Sequence, residues 1–156
     1  MTDTTIGFYP DEIDTASPTR AARLKWVVVV DEGLPGGRAV NAAVCVAAAT
    51  STAVAGLLGP DALDADGSLH PGLPWAGCTV VAASPEQLRA IRMKAAGSPD
   101  VFVADMPAAA QSTRVYDEYL SEVAATTTEG TELLAVSIVG PRNRVDRLVG
   151  RLPLLP

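Results

Sequence analysis

Apolar and polar positions along the chain form short β-branched runs that alternate with longer segments rich in alanine and leucine. The β-branched runs predict four strands, at residues 25–31, 78–82, 101–105 and 133–139. The first run has no polar interruption, which is typical of a strand covered on both faces. Because segments of helical character separate the strands, we expect a three-layer α/β/α sandwich with a four-stranded, mostly parallel or mixed sheet.

The second of four predicted helices has the clearest boundaries. The helices are expected at about residues 37–55, 85–96, 111–125 and 143–149. In the second, Ser84 stands in the N-cap position, Pro85 at the first helical position, and Gln87 where it would close a capping box. In the third, the candidate inward side chains are Tyr116, Tyr119 and Leu120.

The remaining segments set the domain organisation. Residues 1–22 predict a flexible N-terminal arm, and residues 23–156 predict a single domain of ordinary size. Residues 59–77 are rich in glycine, proline and aspartate, which predicts a long loop with a tight turn at Asp66 and Gly67.

Composition narrows the classes of partner. The formal net charge is −6 and the isoelectric point is about 4.6, so a broad tRNA-binding surface is not expected. The N-terminus lacks an apolar signal segment, and the apolar stretch at 39–55 is too short for a membrane span, so we expect a cytoplasmic protein with no membrane association. Cys45 and Cys78 lie in apolar runs and are expected to be buried, reduced thiols.

The stretch GLPGGR, between the first strand and the first helix, is the first candidate for chemistry. It matches neither nucleotide-binding glycine motif, and no cofactor is predicted. A helix that begins at Gly36 and Gly37 nevertheless presents unpaired N–H groups to an anion, and Arg38 adds donors suited to phosphate or carboxylate. The alternative is a sharp corner with a solvated arginine.

Two aspartates at strand ends form the second candidate. Asp31 and Asp105 each stand at the C-terminal end of a predicted strand, and ligands of open α/β sheets bind at that edge. Asn41 lies about one turn after Arg38 and could point into the same crevice. The alternatives are loop-capping carboxylates and a buried amide.

The remaining motifs do not indicate a functional site. His70 is the chain's one histidine and lies in a loop, and neither cysteine has the setting of a nucleophile, so no catalytic triad or zinc site is predicted. The spacing in DALDADG does not fit a calcium loop.

The assembled motifs resemble type-2 peptidyl-tRNA hydrolases. LKWVVVVDEGLPGGRAVNAA resembles their opening, and LLAVSIVGPRNRVDRLVGRLPLL resembles their C-terminal signature. Asp105 falls where their strand-end aspartate lies, and the resemblance covers nearly the whole chain after residue 22. It implies their α/β fold, a tendency to dimerise, and a site that includes Arg38 and Asp105 as catalytic residues.

The chain departs from those hydrolases inside the site. Arg38 replaces a lysine, while Ala42 and Cys45 stand where the hydrolases have glutamine and histidine. Gln111 and Thr113 offer polar groups similar to those of the hydrolases' Ala-Gly-Arg-Thr run, which is absent after Asp105. The chain resembles more closely a bacterial branch of the superfamily with undefined activity, the DUF2000 family, through NAA, DADGSLHPG and YDEY.

Three functions follow as hypotheses. The first is a small-anion binder or hydrolase-like enzyme. Its expected site residues are Arg38 and Asp105, together with Asp31, Gly36, Gly37, Asn41, Gln111 and Thr113 as ligand-binding positions. The second is peptidyl-tRNA hydrolysis. The third is a non-catalytic homodimeric module that uses the apolar helix at 39–55.

Overall fold

Six strands and five helices follow one another in residues 5–156, the part of the chain that this computed structural model describes. The strands are β1 (Leu24–Asp31), β2 (Ala62–Leu63), β3 (Leu69–His70), β4 (Thr79–Ala83), β5 (Phe102–Pro107) and β6 (Leu133–Pro141). The helices are α1 (Gly36–Ala53), α2 (Pro85–Ala96), α3 (Ala109–Ser112), α4 (Tyr116–Ala124) and α5 (Arg142–Val149).

The main sheet has the order β4-β1-β6-β5 and is mixed. β1 runs parallel to β4 and antiparallel to β6, which is also antiparallel to β5. The sequence left open a mostly parallel or a mixed sheet, and the mixed arrangement is confirmed. The predicted 59–77 loop contains the β2–β3 hairpin, with Gly67 at φ +83° in its turn.

Successive residues of β1 serve opposite faces of the sheet. Trp26, Val28 and Val30 pack in the apolar cluster that includes α1, whereas Val27 and Val29 pack in the cluster that includes α2 and α5. A strand has a side-chain period of two, so a run of valines supplies both clusters at once. This explains why the run lacks polar interruptions.

A buried chain of hydrogen bonds ties α1 to the sheet. Trp26 Nε1 donates to Ser137 Oγ at 2.8 Å, and Ser137 Oγ lies 2.7 Å from Thr50 Oγ1. Thr50 Oγ1 is also 2.7 Å from the carbonyl of Val46, to which it can only donate. Ser137 must therefore donate to Thr50, and each of the three donors has an acceptor.

The third predicted helix is divided in the structure. α3 ends at Ser112 and α4 begins at Tyr116, because Thr113 is extended and its hydroxyl donates to the carbonyl of Ala109 at 2.8 Å. The expected inward positions are wrong for Tyr116 and Leu120, which are exposed, while Tyr119 is half-buried. No side chain of α4 is buried, and none belongs to either apolar cluster of the core.

Residues 5–22 contact the domain. Phe8 is buried against Trp75 with ring centroids 4.7 Å apart, and its N–H donates to the carbonyl of Ala55. Arg23 Nε donates to Glu12 Oε1 at 2.5 Å. The part of the predicted arm before residue 5 lies outside the described residues.

The helix boundary signals of α2 are confirmed. Ser84 Oγ accepts from Gln87 N, and Gln87 Oε1 accepts from Ser84 N, which completes the capping box. Within the described residues, every helix is too short or too polar to span a lipid bilayer.

We expect Ser137→Ala to lower the free energy of unfolding by about 1–3 kcal/mol, because Trp26 Nε1–H loses its acceptor in the core. Urea unfolding followed by circular dichroism measures the change. Thr52→Ala is the control. Thr52 Oγ1 donates to the carbonyl of Ala48, as Thr50 Oγ1 donates to that of Val46, but Thr52 lies at an exposed position. Equal costs for the two variants would contradict a structural role for the buried chain.

The Glu12–Arg23 pair predicts a pH dependence of stability. The hydrogen bond from Arg23 lowers the pKa of Glu12 to about 2, from an ordinary value of 4.5. Its stabilisation is therefore complete above pH 4.5 and disappears as the pH falls towards 2. Both side chains contact solvent, so we expect about 0.2–1 kcal/mol. Glu12→Gln should flatten the acid limb of stability against pH, whereas Glu129→Gln should not.

Candidate functional site

The first turn of α1 opens onto free space. Pro35 precedes the helix and no side chain caps its first N–H groups. A Cβ added at Gly36 or Gly37 would meet no atom within 4 Å, and neither residue has a positive φ. The fold therefore does not require glycine here, and the two glycines leave the backbone N–H groups accessible.

Gln111 of α3 holds two side chains of α1. Its Oε1 accepts from Arg38 Nε at 2.7 Å, and its Nε2 donates to the Arg38 carbonyl and to Asn41 Oδ1, both at 3.0 Å. The structure thus brings together Arg38, Asn41 and Gln111, three residues of the site expected from the sequence. These three residues line one shallow surface depression with Gly37.

A larger groove lies between α1, β5 and α4 and has a volume of about 660 Å³. We call it the α1–α4 groove. Its apolar lining includes Val46, Ala49, Met106 and Val115, and its polar lining includes Asn41, Cys45, Asp105, Thr113, Arg114 and Tyr119. Asn41 and Ala110 line both the groove and the depression beside Arg38, so the two are adjacent.

Asp105 reaches this groove from the edge strand. It pairs with Val136, whose side chain packs on the α2 face of the sheet, and its Oδ2 accepts from Arg92 Nε at 2.9 Å. Partial burial, together with nearby Tyr116 and the Asp105 carboxylate, raises the pKa of Tyr119. Asp105 therefore lines the groove from the edge strand, while an arginine holds its carboxylate on the α2 face of the sheet.

Asp31 does not share this groove. It is buried, its Oδ1 accepts from Gly33 N at 2.8 Å, and it belongs to the turn that leads into α1. Neither the depression nor the α1–α4 groove includes it. The single crevice expected for Asp31, Arg38, Asn41 and Asp105 is thus not formed as one cavity, because Asp31 caps its own loop.

Both cysteines are free thiols, as expected, but the expected burial is wrong, because both residues are exposed. Cys45 lies on the outer side of α1, in the α1–α4 groove. Cys78 precedes β4, so it lies at the end of the sheet where β1 begins, opposite to the end where Asp31 lies. Neighbouring atoms desolvate its sulfur even though the residue as a whole is exposed, which raises the pKa of the Cys78 thiol to about 11. That thiol is protonated at neutral pH.

His70 is part of the β2–β3 hairpin. Its Nε2 lies 3.3 Å from Asp64 Oδ2, and hydrogen bonds from the Ser68 backbone and from His70 lower the pKa of Asp64. The pair stabilises the hairpin turn. Within residues 5–156, histidine, cysteine and acidic side chains nowhere come together as a set of three that could ligate a metal ion.

Sequence reasoning missed Arg92, Arg114 and the site position of Tyr119. Arg92 contacts Asp105 only because α2 packs on the face to which Asp105 points. Arg114 and Tyr119 reach the groove because the chain turns between α3 and α4. The two β-branched residues Thr113 and Val115 were the sequence signal for that break.

Comparison with known proteins identifies the family of the chain. No curated protein matches it. A solved structure of a protein of unknown function from Agrobacterium tumefaciens matches with a TM-score of 0.78 and 14% identity, over 85% of this chain and 97% of the other. At that identity the likeness shows a shared fold alone. The model of the family described as "Protein of unknown function (DUF2000)" matches residues 24–156. The chain belongs to the DUF2000 family.

Proposed function

We propose that the protein binds a small organic carboxylate. The charged group contacts Arg38 and Asn41, and the apolar part lies in the α1–α4 groove. The observation that carries this proposal is the way Gln111 uses its amide.

The amide of Gln111 takes up the acceptors of Arg38 and Asn41 and leaves most of their donors available. Its Nε2 donates to the Arg38 carbonyl and to Asn41 Oδ1, and its Oε1 takes only the Nε proton of Arg38. The terminal nitrogens of Arg38 and the amide nitrogen of Asn41 have no acceptor among the described residues. What faces solvent here is therefore a set of donors around one positive charge, which matches a single carboxylate.

The groove next to this donor set suits an apolar body. Ala49 and Met106 contribute apolar surface, and Asn41 joins the groove to the donor set. Asp105 also lines the groove, but Arg92 holds its carboxylate on the α2 face of the sheet, so no contact between Asp105 and the ligand is proposed.

We expect phenylacetate or octanoate to bind, and their uncharged amides to bind more weakly. Arg38→Gln should weaken carboxylate binding about 10- to 100-fold, because it removes a charged hydrogen-bonding partner. Isothermal titration calorimetry measures both affinities. Gln111→Ala should weaken binding less, since it frees Arg38 and Asn41 without removing either.

Arg20→Gln is the matched control, because Arg20 is exposed and lies in the turn Thr19–Ala21, outside the depression and the groove. The proposal fails if no carboxylate binds better than its amide. It also fails if Arg38→Gln and Arg20→Gln have the same affinity.

Hydrolysis is the alternative that the resemblance implies, and the geometry favours binding over it. Ala42, at the position of the hydrolases' glutamine, is fully buried and faces the core. Cys45 makes no hydrogen bond to an acidic or basic side chain among the described residues. A turnover assay on a peptidyl-tRNA, with a no-enzyme control, decides between the two.

A second copy of the chain is the partner that the outer face of α1 suits. Val40 and Val44 are about 60% exposed, and α1 carries no charged residue after Arg38. Surface helices ordinarily carry charge on the solvent side. The net charge of −6 disfavours contact between copies elsewhere, whereas a two-fold axis beside Val44 would place this uncharged face against itself.

Val44→Asp should shift the protein from dimer to monomer in sedimentation velocity at micromolar concentration, because a two-fold axis brings two carboxylates together. Leu69→Asp, at a similarly exposed position of the hairpin, should leave the dimer intact. A wild-type protein that sediments only as a monomer would rule out this interface.

We also propose that the fold is a three-layer α/β/α sandwich, which is supported by the packing of α1 in one apolar cluster and of α2 and α5 in the other. Its proposed relation to type-2 peptidyl-tRNA hydrolases is supported by the sequence resemblance.

A further inference from the structure

A second groove, on the α2 and α5 side of the sheet, is lined by three positive charges. It has a volume of about 430 Å³, and its ionisable lining consists of Lys94 from α2, Arg147 from α5, and Arg151 just after α5. Its apolar lining includes Ile91, Leu148 and Leu152. We call it the basic groove.

The charge of this groove is opposite to that of the chain. Acidic residues outnumber basic ones by 18 to 12, yet no acidic residue lines the groove. Lys94, Arg147 and Arg151 form no ion pair among the described residues. Three like charges that share one groove repel each other, and no acidic side chain of the described residues pairs with them.

Helix dipoles explain only part of this arrangement. Lys94 and Arg147 lie in the last turns of α2 and α5, where a positive charge is favourable. Arg151 lies beyond the helix, and its position is set by the backbone. Gly150 adopts φ +57° and ends α5, and the carbonyl of Pro153 accepts from Ala82 N at 2.8 Å, which attaches the following segment to β4. Arg151 is thus held at the groove by backbone contacts on both sides.

From this convergence we propose that the basic groove binds a phosphate group carried by a small molecule. A phosphate monoester carries between one and two negative charges at neutral pH and accepts several hydrogen bonds, which suits two guanidinium groups and one ammonium group. The apolar surface of Ile91, Leu148 and Leu152 would contact the organic part. This site lies on the other face of the sheet from Arg38 and is independent of the carboxylate site.

Phenyl phosphate tests the proposal. At matched ionic strength, it should bind saturably in isothermal titration calorimetry and shift the backbone amide signals of Gly150 and Arg151 in NMR. Arg151→Gln and Arg147→Gln should each weaken binding by about tenfold or more, because each removes a charged donor to phosphate. If either variant fails to fold, Lys94→Gln takes its place.

Arg20→Gln should leave phenyl phosphate binding unchanged. The NMR shifts at Gly150 and Arg151 locate the ligand at the basic groove, so this test and that of the carboxylate site can fail separately. Absence of saturable binding, or equal binding by the Arg151→Gln variant, would overturn the proposal. Binding only to phosphatidic acid vesicles, and not to phenyl phosphate, would also overturn it, since the groove would then recognise a lipid surface.

Discussion

The position of α1 on the sheet depends on the buried chain from Trp26 through Ser137 to Thr50. Alanine-rich helices pack closely but slide easily, because their small side chains interlock weakly. A directional hydrogen bond removes that freedom, since any shift of α1 along the sheet would leave polar groups unpaired in the core. The register of α1 on β1 and β6 is fixed in this way, although most of its contact surface is apolar.

The site depends on that register. Gln111 lies 73 residues after Arg38 in the chain, beyond the edge strand β5 and the irregular pairing at Met106 and Pro107. Its amide meets Arg38 and Asn41 only if α1 begins at the right height above the sheet. The buried chain sits near the C-terminal half of α1 and the site near its first turns, so an 18-residue helix transmits the constraint from the core to the surface.

Local signals in the sequence predicted elements well and tertiary relations less well. The capping box of Ser84 and Gln87 is complete within four residues, and it is present as expected. The strand end at Asp31 was also readable, because it closes a β-branched run, whereas β5 continues past Asp105 to Pro107. The different hydrogen-bond partners of the two aspartates could not be predicted from the sequence, because Asp31 caps a turn and Asp105 pairs with Arg92 on a neighbouring helix. Likewise, the apolar residues around Cys45 in the sequence do not indicate whether its side chain faces the core or the surface, and it is exposed.

The negative net charge of the chain affects the binding of small and of large anions differently. At physiological salt, a charge is screened over about 8 Å, so an anion that touches Arg38 feels the local donors far more than the distant carboxylates. A polyanion such as a tRNA must cover a wide surface and meets the net charge of −6 over that whole area. Isolated clusters of donors on an acidic protein therefore admit small anions while they disfavour extended ones. The Arg38 depression and the basic groove are both clusters of this kind, which is why the same negative net charge is consistent with two anion sites and argues against a nucleic-acid surface.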